Sequence, residues 1–177
     1  MKDLVIGTSN FNQNYGLSNK KLKITEIQKI LNLAKKNKIK YIDTALDYNL
    51  SSSLIKKISF KKFKIITKFK LPKNGKKNFV NNLENLLIME IKKFNIQKFH
   101  AILIHNSNDL SSIYGKQIIK VLRSLKKKNF IKYVGLSIYD FNEIKKIPNS
   151  FKVDLVQVPI NIFDQRFLSK KILKFFE

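Results

Sequence analysis

Four residues of types that take part in proton transfer stand out in the sequence: Asp43, Tyr48, Lys68 and His105. A tyrosine phenol, whose ordinary pKa is about 10, is a poor acid at neutral pH, but an adjacent ammonium such as that of Lys68 stabilises the phenolate and lowers the pKa. Asp43 could hold Lys68 in a salt bridge, and His105 could hydrogen-bond a substrate oxygen. The set suits a reaction in which a carbonyl oxygen gains negative charge and takes a proton while hydride reaches its carbon.

Each of these residues also has an ordinary structural interpretation. Asp43 could cap a turn, Tyr48 could be a packed surface aromatic, and His105 could be a satisfied core residue. Asp47 is interpreted as a turn or surface acid, and His100, early in its predicted strand, as structural. The catalytic interpretation therefore depends on the fold bringing the four residues to one place.

The hydrophobic pattern predicts strands that alternate with amphipathic helices. Nearly all-apolar strands are predicted over residues 4–8, 39–44, 63–69, 99–104, 133–138 and 153–158. Helices are predicted from Thr25 onward, over residues 51–58, 78–94, 117–129 and 140–147, and from about Leu168. Thr25 with Gln28, and Asp140 with Glu143, have the spacing of N-terminal capping boxes. The alternation favours an α/β protein with a parallel sheet covered by helices.

Two architectures fit this alternation: a doubly wound sheet and a (β/α) barrel. No Gly-x-Gly-x-x-Gly follows the first strand, which weakens the dinucleotide-binding form of the doubly wound sheet. The polar residues at the predicted strand ends are Asp43, Lys68, His105, Ser137 and Gln157, with Tyr48 in the loop after the second strand. Because barrel enzymes place their sites at the carboxyl ends of the strands, we expect these side chains on one rim of a barrel.

The composition of the 177 residues indicates a single globular domain over residues 1–177. Hydrophobic residues make up 44% of the chain, enough for a substantial core, and cysteine is absent, which excludes disulfides and cysteine-ligated metals. We expect no metal site. No apolar run approaches the roughly 18 residues that span a bilayer, and the first residues lead directly into a strand. These features predict a soluble, cytoplasmic protein without a membrane partner.

The formal net charge of +24 raises the possibility of binding to a polyanion. Only two of the basic residues, Arg123 and Arg166, are arginines, the favoured group for bidentate contacts to phosphate and guanine. The lysines are spread along the chain, many on predicted outer helix faces. The pattern favours solvated lysine surfaces, and no nucleic-acid partner is expected; a nucleic-acid-binding module is a hypothesis that depends on charge alone.

The predicted strand ends carry, in order, a series of short motifs. They are Asp43-Thr44-Ala45-x-x-Tyr48, Ile66-Thr67-Lys68, Leu103-Ile104-His105-Asn106, Gly135-Leu136-Ser137 and Val156-Gln157-Val158-Pro159-x-Asn161. With Ile6-Gly7-Thr8 before them and Phe163-Asp164-Gln165-Arg166 after them, the sequence resembles the aldo-keto reductase family from its first strand to about Leu168. The resemblance covers nearly the whole chain.

The resemblance implies a (β/α)₈ TIM-type barrel that uses NADPH, less often NADH, to reduce small-molecule aldehydes and ketones. In that case Tyr48 is the proton donor, Asp43 and Lys68 tune it, and His105 orients the substrate carbonyl. The two positions that match those holding the nicotinamide carboxamide are Ser137 and Gln157. Three positions depart from the family pattern: Ile138 replaces a frequent asparagine, Asn49 a common glycine, and Ser52 a frequent glutamate.

About six of the eight strand-helix units of such a barrel are predicted in this chain. Because the sequence stops within an apolar helical run at residues 175–177, we expect a C-terminally truncated family member that lacks the segments gripping the cofactor phosphates, with its first and sixth strands as open edges. The alternative is a non-catalytic barrel fragment that acts as an interaction or regulatory protein. The four candidate catalytic residues count against this alternative, and the missing cofactor-binding half counts for it.

Overall fold

A computed structural model describes residues 3–15 and 19–176, and a parallel β-sheet lies at its centre. The six strands are β1 (Val5–Gly7), β2 (Tyr41–Asp43), β3 (Lys64–Phe69), β4 (Phe99–Ile104), β5 (Ile131–Ser137) and β6 (Leu155–Gln157). The helices are α1 (Ile24–Lys36), α2 (Ser52–Ile58), α3 (Lys76–Phe94), α4 (Asn108–Ser111), α5 (Gly115–Lys127) and α6 (Lys170–Phe176). Each predicted strand is present at its predicted place.

The order of the strands distinguishes between the two architectures that the sequence left open. The sheet runs β1-β2-β3-β4-β5-β6, and every neighbouring pair is parallel. A doubly wound sheet reverses its strand order at a switch point, whereas a barrel adds each new strand beside the preceding one. The sheet is therefore a curled part of a (β/α)₈ barrel, with six of its eight strands, as predicted.

The two faces of the sheet have different neighbours because successive side chains of a strand point to opposite sides. A cavity of about 390 Å³ on one face is lined by residues that include Asp43, Ile66, Leu103 and Gln157. The strand residues that alternate with these cavity residues point to the other face and are fully buried in the hydrophobic core, among them Ile42, Ile65, Ile102 and Leu136. The helices contribute Leu31, Leu83 and Leu122 to the same core. Each such side chain stabilises the sheet by roughly 1.5–3 kcal/mol, which fixes the strands that carry the polar rim.

Two details of the helices differ from the prediction. Helix α1 begins at Ile24, not at a Thr25 cap: the Glu26 carboxylate accepts a hydrogen bond of 2.6 Å from the backbone N–H of Lys23. Thr25 is thus already inside the first turn. The segment predicted as a helix over residues 140–147 is a 3₁₀ turn, Phe141–Lys146, although its predicted capping box with Glu143 is present.

Some predictions fall on residues outside the described part of the chain. The predicted loop over residues 9–19 includes positions 16–18, and the last residue is Glu177; none of these is described. Within the described residues, no helix is both long enough and apolar enough to cross a membrane.

Candidate active site

The strand register brings the carboxyl ends of the strands, and their polar residues, to one edge of the sheet. Gly7 of β1 lies beside Asp43 of β2, and Ser137 of β5 lies beside Gln157 of β6. The backbone N–H of His105 donates a hydrogen bond of 2.7 Å to the carbonyl of Phe69, which extends the ladder between β3 and β4 by one residue. All five predicted strand-end residues therefore occupy this edge.

Lys68 and Asp43 form an ion pair at this edge. The Lys68 Nζ lies 2.6 Å from each of the two carboxylate oxygens of Asp43. The lysine side chain is 4% exposed and that of the aspartate 17%. An ammonium this deeply buried is costly without a counter-charge, and the Asp43 carboxylate supplies that counter-charge.

The backbone around Asp43 is held by its neighbours on both sides. Thr8, which follows β1 and is fully buried, donates two hydrogen bonds to the Asp43 carbonyl, from its hydroxyl at 3.1 Å and from its N–H at 3.0 Å. On the other side, the N–H of Thr44 donates to the carbonyl of Ile66 at 2.9 Å. The backbone that carries the carboxylate is therefore held by Thr8 on one side and by β3 on the other.

Tyr48 lies at the end of a short 3₁₀ turn, Leu46–Tyr48, that follows β2. The next residue, Asn49, has φ +51° and ψ +38°, the left-handed conformation that asparagine tolerates better than most residues. The side chain of Asn12 donates a hydrogen bond of 2.7 Å to the Asn49 carbonyl. Asn49 thus adopts a backbone conformation that is most often taken by glycine.

The acidity of Tyr48 differs from the sequence-based expectation. Partial burial, followed by the negative charge of Asp43 and smaller effects of Tyr15, Asp47 and Tyr139, raises its pKa to about 12. The expected lowering by Lys68 is wrong for this state of the protein. The physical reason is that partial burial and the negative charge of Asp43 both disfavour the phenolate, whereas the Lys68 ammonium is bound to the two oxygens of Asp43.

His105 is half-buried at the end of β4, and its pKa lies below the usual 6.5. Burial is the largest cause; Asp47 and Asp43 raise the pKa, whereas Lys68 and Lys70 lower it. The imidazole is therefore neutral at pH 7, with one N–H donor and one acceptor nitrogen. Its buried Nδ1 has no hydrogen-bond partner among the described residues.

Asp47 and Lys70 belong to this region although the sequence interpretation left them out. Their side chains form an ion pair of 2.9 Å and are 37% and 55% exposed. Both act on the pKa of His105, and Asp47 also raises that of Tyr48. Lys70 directly follows β3, two residues after Lys68, and this position was the available signal.

Ser137 and Gln157 are neighbours at the ends of β5 and β6. Ser137 is 7% exposed, and the backbone N–H of Ile138 donates to the Gln157 carbonyl at 3.0 Å. The buried Oε1 of Gln157 has no hydrogen-bond partner in the described part of the chain. An unpaired amide oxygen next to Ser137 in the strand register suits the N–H donors of a carboxamide, and these two residues therefore fit the carboxamide of a nicotinamide.

The structure joins some of the predicted residues directly and others only by position. Asp43 and Lys68 are in direct contact. Among the hydrogen bonds of the described residues, none joins the side chain of Tyr48 or His105 to this pair. Tyr48 and His105 are connected to it through charge, since Asp43 acts on the pKa of both. The described residues include no group of three or more His, Asp or Glu side chains placed to hold a metal ion.

Comparison with solved structures supports the barrel architecture. A protein from Pseudomonas aeruginosa described as an aldo-keto reductase has a TM-score of 0.72 and 17% identity over 97% of this chain and 67% of that one. A thermostable aldo-keto reductase in complex with the inhibitor epalrestat has a TM-score of 0.69 and 21% identity over 99% and 64%. The holo form of an aldo-keto reductase from Bacillus halodurans has a TM-score of 0.71 and 18% identity over 94% and 56%.

These likenesses, at low identity, show the fold: the chain is part of a (β/α)₈ barrel, and it spans 56 to 67% of the length of the three structures. The model of the aldo/keto reductase family matches residues 3–177. The chain belongs to the aldo/keto reductase family, as the sequence motifs indicated. A search of curated protein sequences gave no match.

Proposed function

We propose that the whole protein is an oxidoreductase that reduces an aldehyde or ketone, or oxidises the corresponding alcohol, with NADPH or NADH as the hydride donor. The observation that carries this proposal is the buried Asp43–Lys68 pair, 2.6 Å apart, at the carboxyl edge of a barrel sheet. Tyr48 and His105 lie on the same edge. A buried ion pair next to a phenol and a neutral imidazole is unusual for a purely structural role, because burying charge is costly.

A nicotinamide cofactor, when bound, supplies the hydride. Ser137 and Gln157 would hold its carboxamide, and His105 would donate a hydrogen bond to the substrate carbonyl oxygen. The phenol of Tyr48 would give its proton to the carbonyl oxygen as that oxygen gains negative charge and the carbonyl carbon takes up hydride. An alkoxide is comparable in basicity to hydroxide and more basic than a phenolate, so the transfer is favourable even from a phenol with a pKa of about 12.

The test is NADPH and NADH oxidation by the whole protein over a panel of aldehydes and ketones. Tyr48→Phe should lower kcat/KM by at least about 100-fold, the usual contribution of a positioned general acid. Tyr133→Phe is the matched control, since that ring packs against His100 near the start of β5, at the opposite end of this strand from Ser137, and it should leave kcat/KM unchanged. An undiminished rate in Tyr48→Phe would disprove the mechanism.

A non-catalytic interaction role is the second candidate. It is favoured by the sheet edges, because β1 and β6 each pair with a single neighbouring strand among the described residues. Unpaired strand edges are surfaces to which another chain can add. Failure of the whole protein to bind or oxidise either cofactor, with an intact fold, would favour this candidate over the oxidoreductase.

A further inference from the structure

A second polar cavity lies at the opposite end of the sheet from Asp43 and Lys68. It has a volume of about 580 Å³ and lies at the amino-terminal ends of β3, β4 and β5. The charged and titratable side chains that line it are Lys61, Lys64, Lys98, Lys132 and His100. No carboxylate is among its lining residues in the described part of the chain. We call this cavity the amino-end pocket; a region with four lysines and no acid attracts anions.

Two of these lysines rest on aromatic rings instead of carboxylates. The Nζ of Lys64 lies 5.3 Å from the ring centroid of Tyr41, and the Nζ of Lys132 lies 4.8 Å from that of Tyr133. Over the described ranges, neither lysine has an ion-pair partner, and both are exposed. Such exposed cation–π contacts are worth about 0.5–1 kcal/mol, less than a charge-assisted hydrogen bond to phosphate. An incoming anion could therefore recruit both ammonium groups.

His100 lies between the two tyrosines. Its ring centroid is 5.0 Å from that of Tyr41 on β2 and 5.1 Å from that of Tyr133 on β5. Burial, then the positive charges of Lys64 and Lys132, lower the pKa of His100 below the usual 6.5. The pKa of His100 is thus sensitive to the positive potential of the pocket. An anion bound there would reduce this potential and raise the pKa of His100.

We propose that the amino-end pocket binds a compact oligophosphate, an anion with two or more linked phosphate groups, through Lys64, Lys132 and their neighbouring lysines. The volume of 580 Å³ is many times the roughly 30 Å³ that one water occupies, so it admits more than a single phosphate. The distribution of the four lysines around the cavity suits several phosphate groups at once. Because the pocket is at the far end of the strands from the candidate active site, this proposal is independent of the proposed function.

The experiment uses tripolyphosphate as the probe and the ring signals of the two histidines as the readout. Histidine NMR titrations at constant ionic strength should show saturable shifts of His100 and an increase in its pKa, with little change at His105. Equal effects on both histidines, or shifts that do not saturate, would contradict a site at the amino-end pocket.

Two charge-matched variants separate a built site from general attraction by the +24 chain. Lys64→Gln/Lys132→Gln should weaken tripolyphosphate binding at least about tenfold. Lys116→Gln/Lys120→Gln removes the same two charges from the exposed surface of α5 and should leave binding unchanged. Equal weakening by both variants would overturn the proposal. Tighter binding of a single-stranded RNA oligonucleotide than of tripolyphosphate, lost in the first variant, would overturn the assignment to a small anion.

Discussion

The charge of Asp47, like that of Asp43, acts on the pKa of both Tyr48 and His105. The sequence alone offered it only as a turn acid, because nothing in its spacing shows which side chains it faces. In the structure it is paired with Lys70 at 2.9 Å, close to the end of β3. It is a positioning and electrostatic neighbour of the candidate site, not a member of its buried pair.

Asp47→Asn should lower the pKa of His105 further and bring the pKa of Tyr48 down from about 12. The direction follows because Asp47 raises both values, and its loss also frees Lys70, which lowers that of His105. Histidine NMR and ultraviolet titration of the tyrosinate would measure the two changes. His100, at the other end of the sheet, is an internal control and should not move; an upward shift at His105 would contradict the charge arrangement.

The Asp43–Lys68 pair should behave as a buried ion pair in unfolding experiments. Asp43→Asn leaves a 4% exposed ammonium without its counter-charge and should cost about 3–5 kcal/mol of the free energy of unfolding. The double variant Asp43→Asn/Lys68→Met should be more stable than Asp43→Asn, because it removes the unpaired charge. Urea unfolding of four forms, the parent, Asp43→Asn, Lys68→Met and the double variant, would give the coupling energy.

The exposed Asp47–Lys70 pair is the control for this double-mutant cycle. Its side chains are 37% and 55% exposed, so Asp47→Asn and Lys70→Met should couple by less than about 1 kcal/mol. A similar coupling energy in the two cycles would mean that Lys68 is far better hydrated than its burial implies.

Strands β5 and β6 approach closely at Gly135, and the candidate site depends on this contact. A Cβ on Gly135 would lie 1.9 Å from the Leu155 carbonyl oxygen and 2.8 Å from a Leu103 methyl group. A backbone carbonyl of a paired strand cannot move aside without breaking the ladder. The close approach therefore holds Ser137 beside Gln157, two residues further along both strands.

Gly135→Ala should lower the free energy of unfolding by at least about 3 kcal/mol, the upper part of the usual range for overpacking. Gly7→Ala is a matched control in β1: Gly7 lines the cavity beside Asp43, and a Cβ there meets no atom within 4 Å. It should leave stability within about 1 kcal/mol of the parent. Thermal and urea unfolding of both variants would measure the two changes in the free energy of unfolding. Equal losses of stability would show that β5 and β6 do not approach each other as closely as described.

At the scale of elements, much of the fold was predictable because buried parallel strands have a strong hydrophobic signal. Strand β4 begins and ends at the predicted residues, and β3 differs by one residue at its start. The short helix α4 and the 3₁₀ form of the turn after Asp140 were not predicted, since segments of four to six residues have no hydrophobic period to read. The predicted N-cap at Thr25 is wrong because the helix begins earlier, with Lys23 as the N-cap residue. The Glu26 carboxylate accepts the hydrogen bond from the Lys23 N–H there.

Part of the candidate site could likewise be predicted from the sequence, and part of it could not. That Asp43 and Lys68 share an edge follows from their places at strand ends, and the residues were predicted on that ground. Their contact depends on the register that sets Asp43 opposite Ile66, two residues before Lys68, which a single sequence does not reveal. The pKa of Tyr48 depends on its burial and on which carboxylate the lysine contacts. The direction of the pKa shift therefore required the structure and could not be predicted from the sequence.

Charge acts on the molecule as a whole. The chain has 36 lysine and arginine residues against 12 aspartate and glutamate residues, for a net charge of +24. Salt has two opposite effects on such a protein: it weakens exposed ion pairs such as Lys128–Glu84, and it screens the repulsion among the unpaired cations. Since basic residues outnumber acidic ones threefold, repulsion should dominate, and added salt should stabilise the fold.

The free energy of unfolding should therefore rise with NaCl at neutral pH, with most of the gain below roughly 0.2 M. Screening is largely complete there, because the Debye length is already about 8 Å at 0.15 M. Urea unfolding at a series of NaCl concentrations would measure the curve, and NaCl and KCl should give the same curve. An increase that continues linearly to high salt would point to solvent exclusion instead, and a decrease would mean that the exposed ion pairs outweigh the repulsion among the lysines.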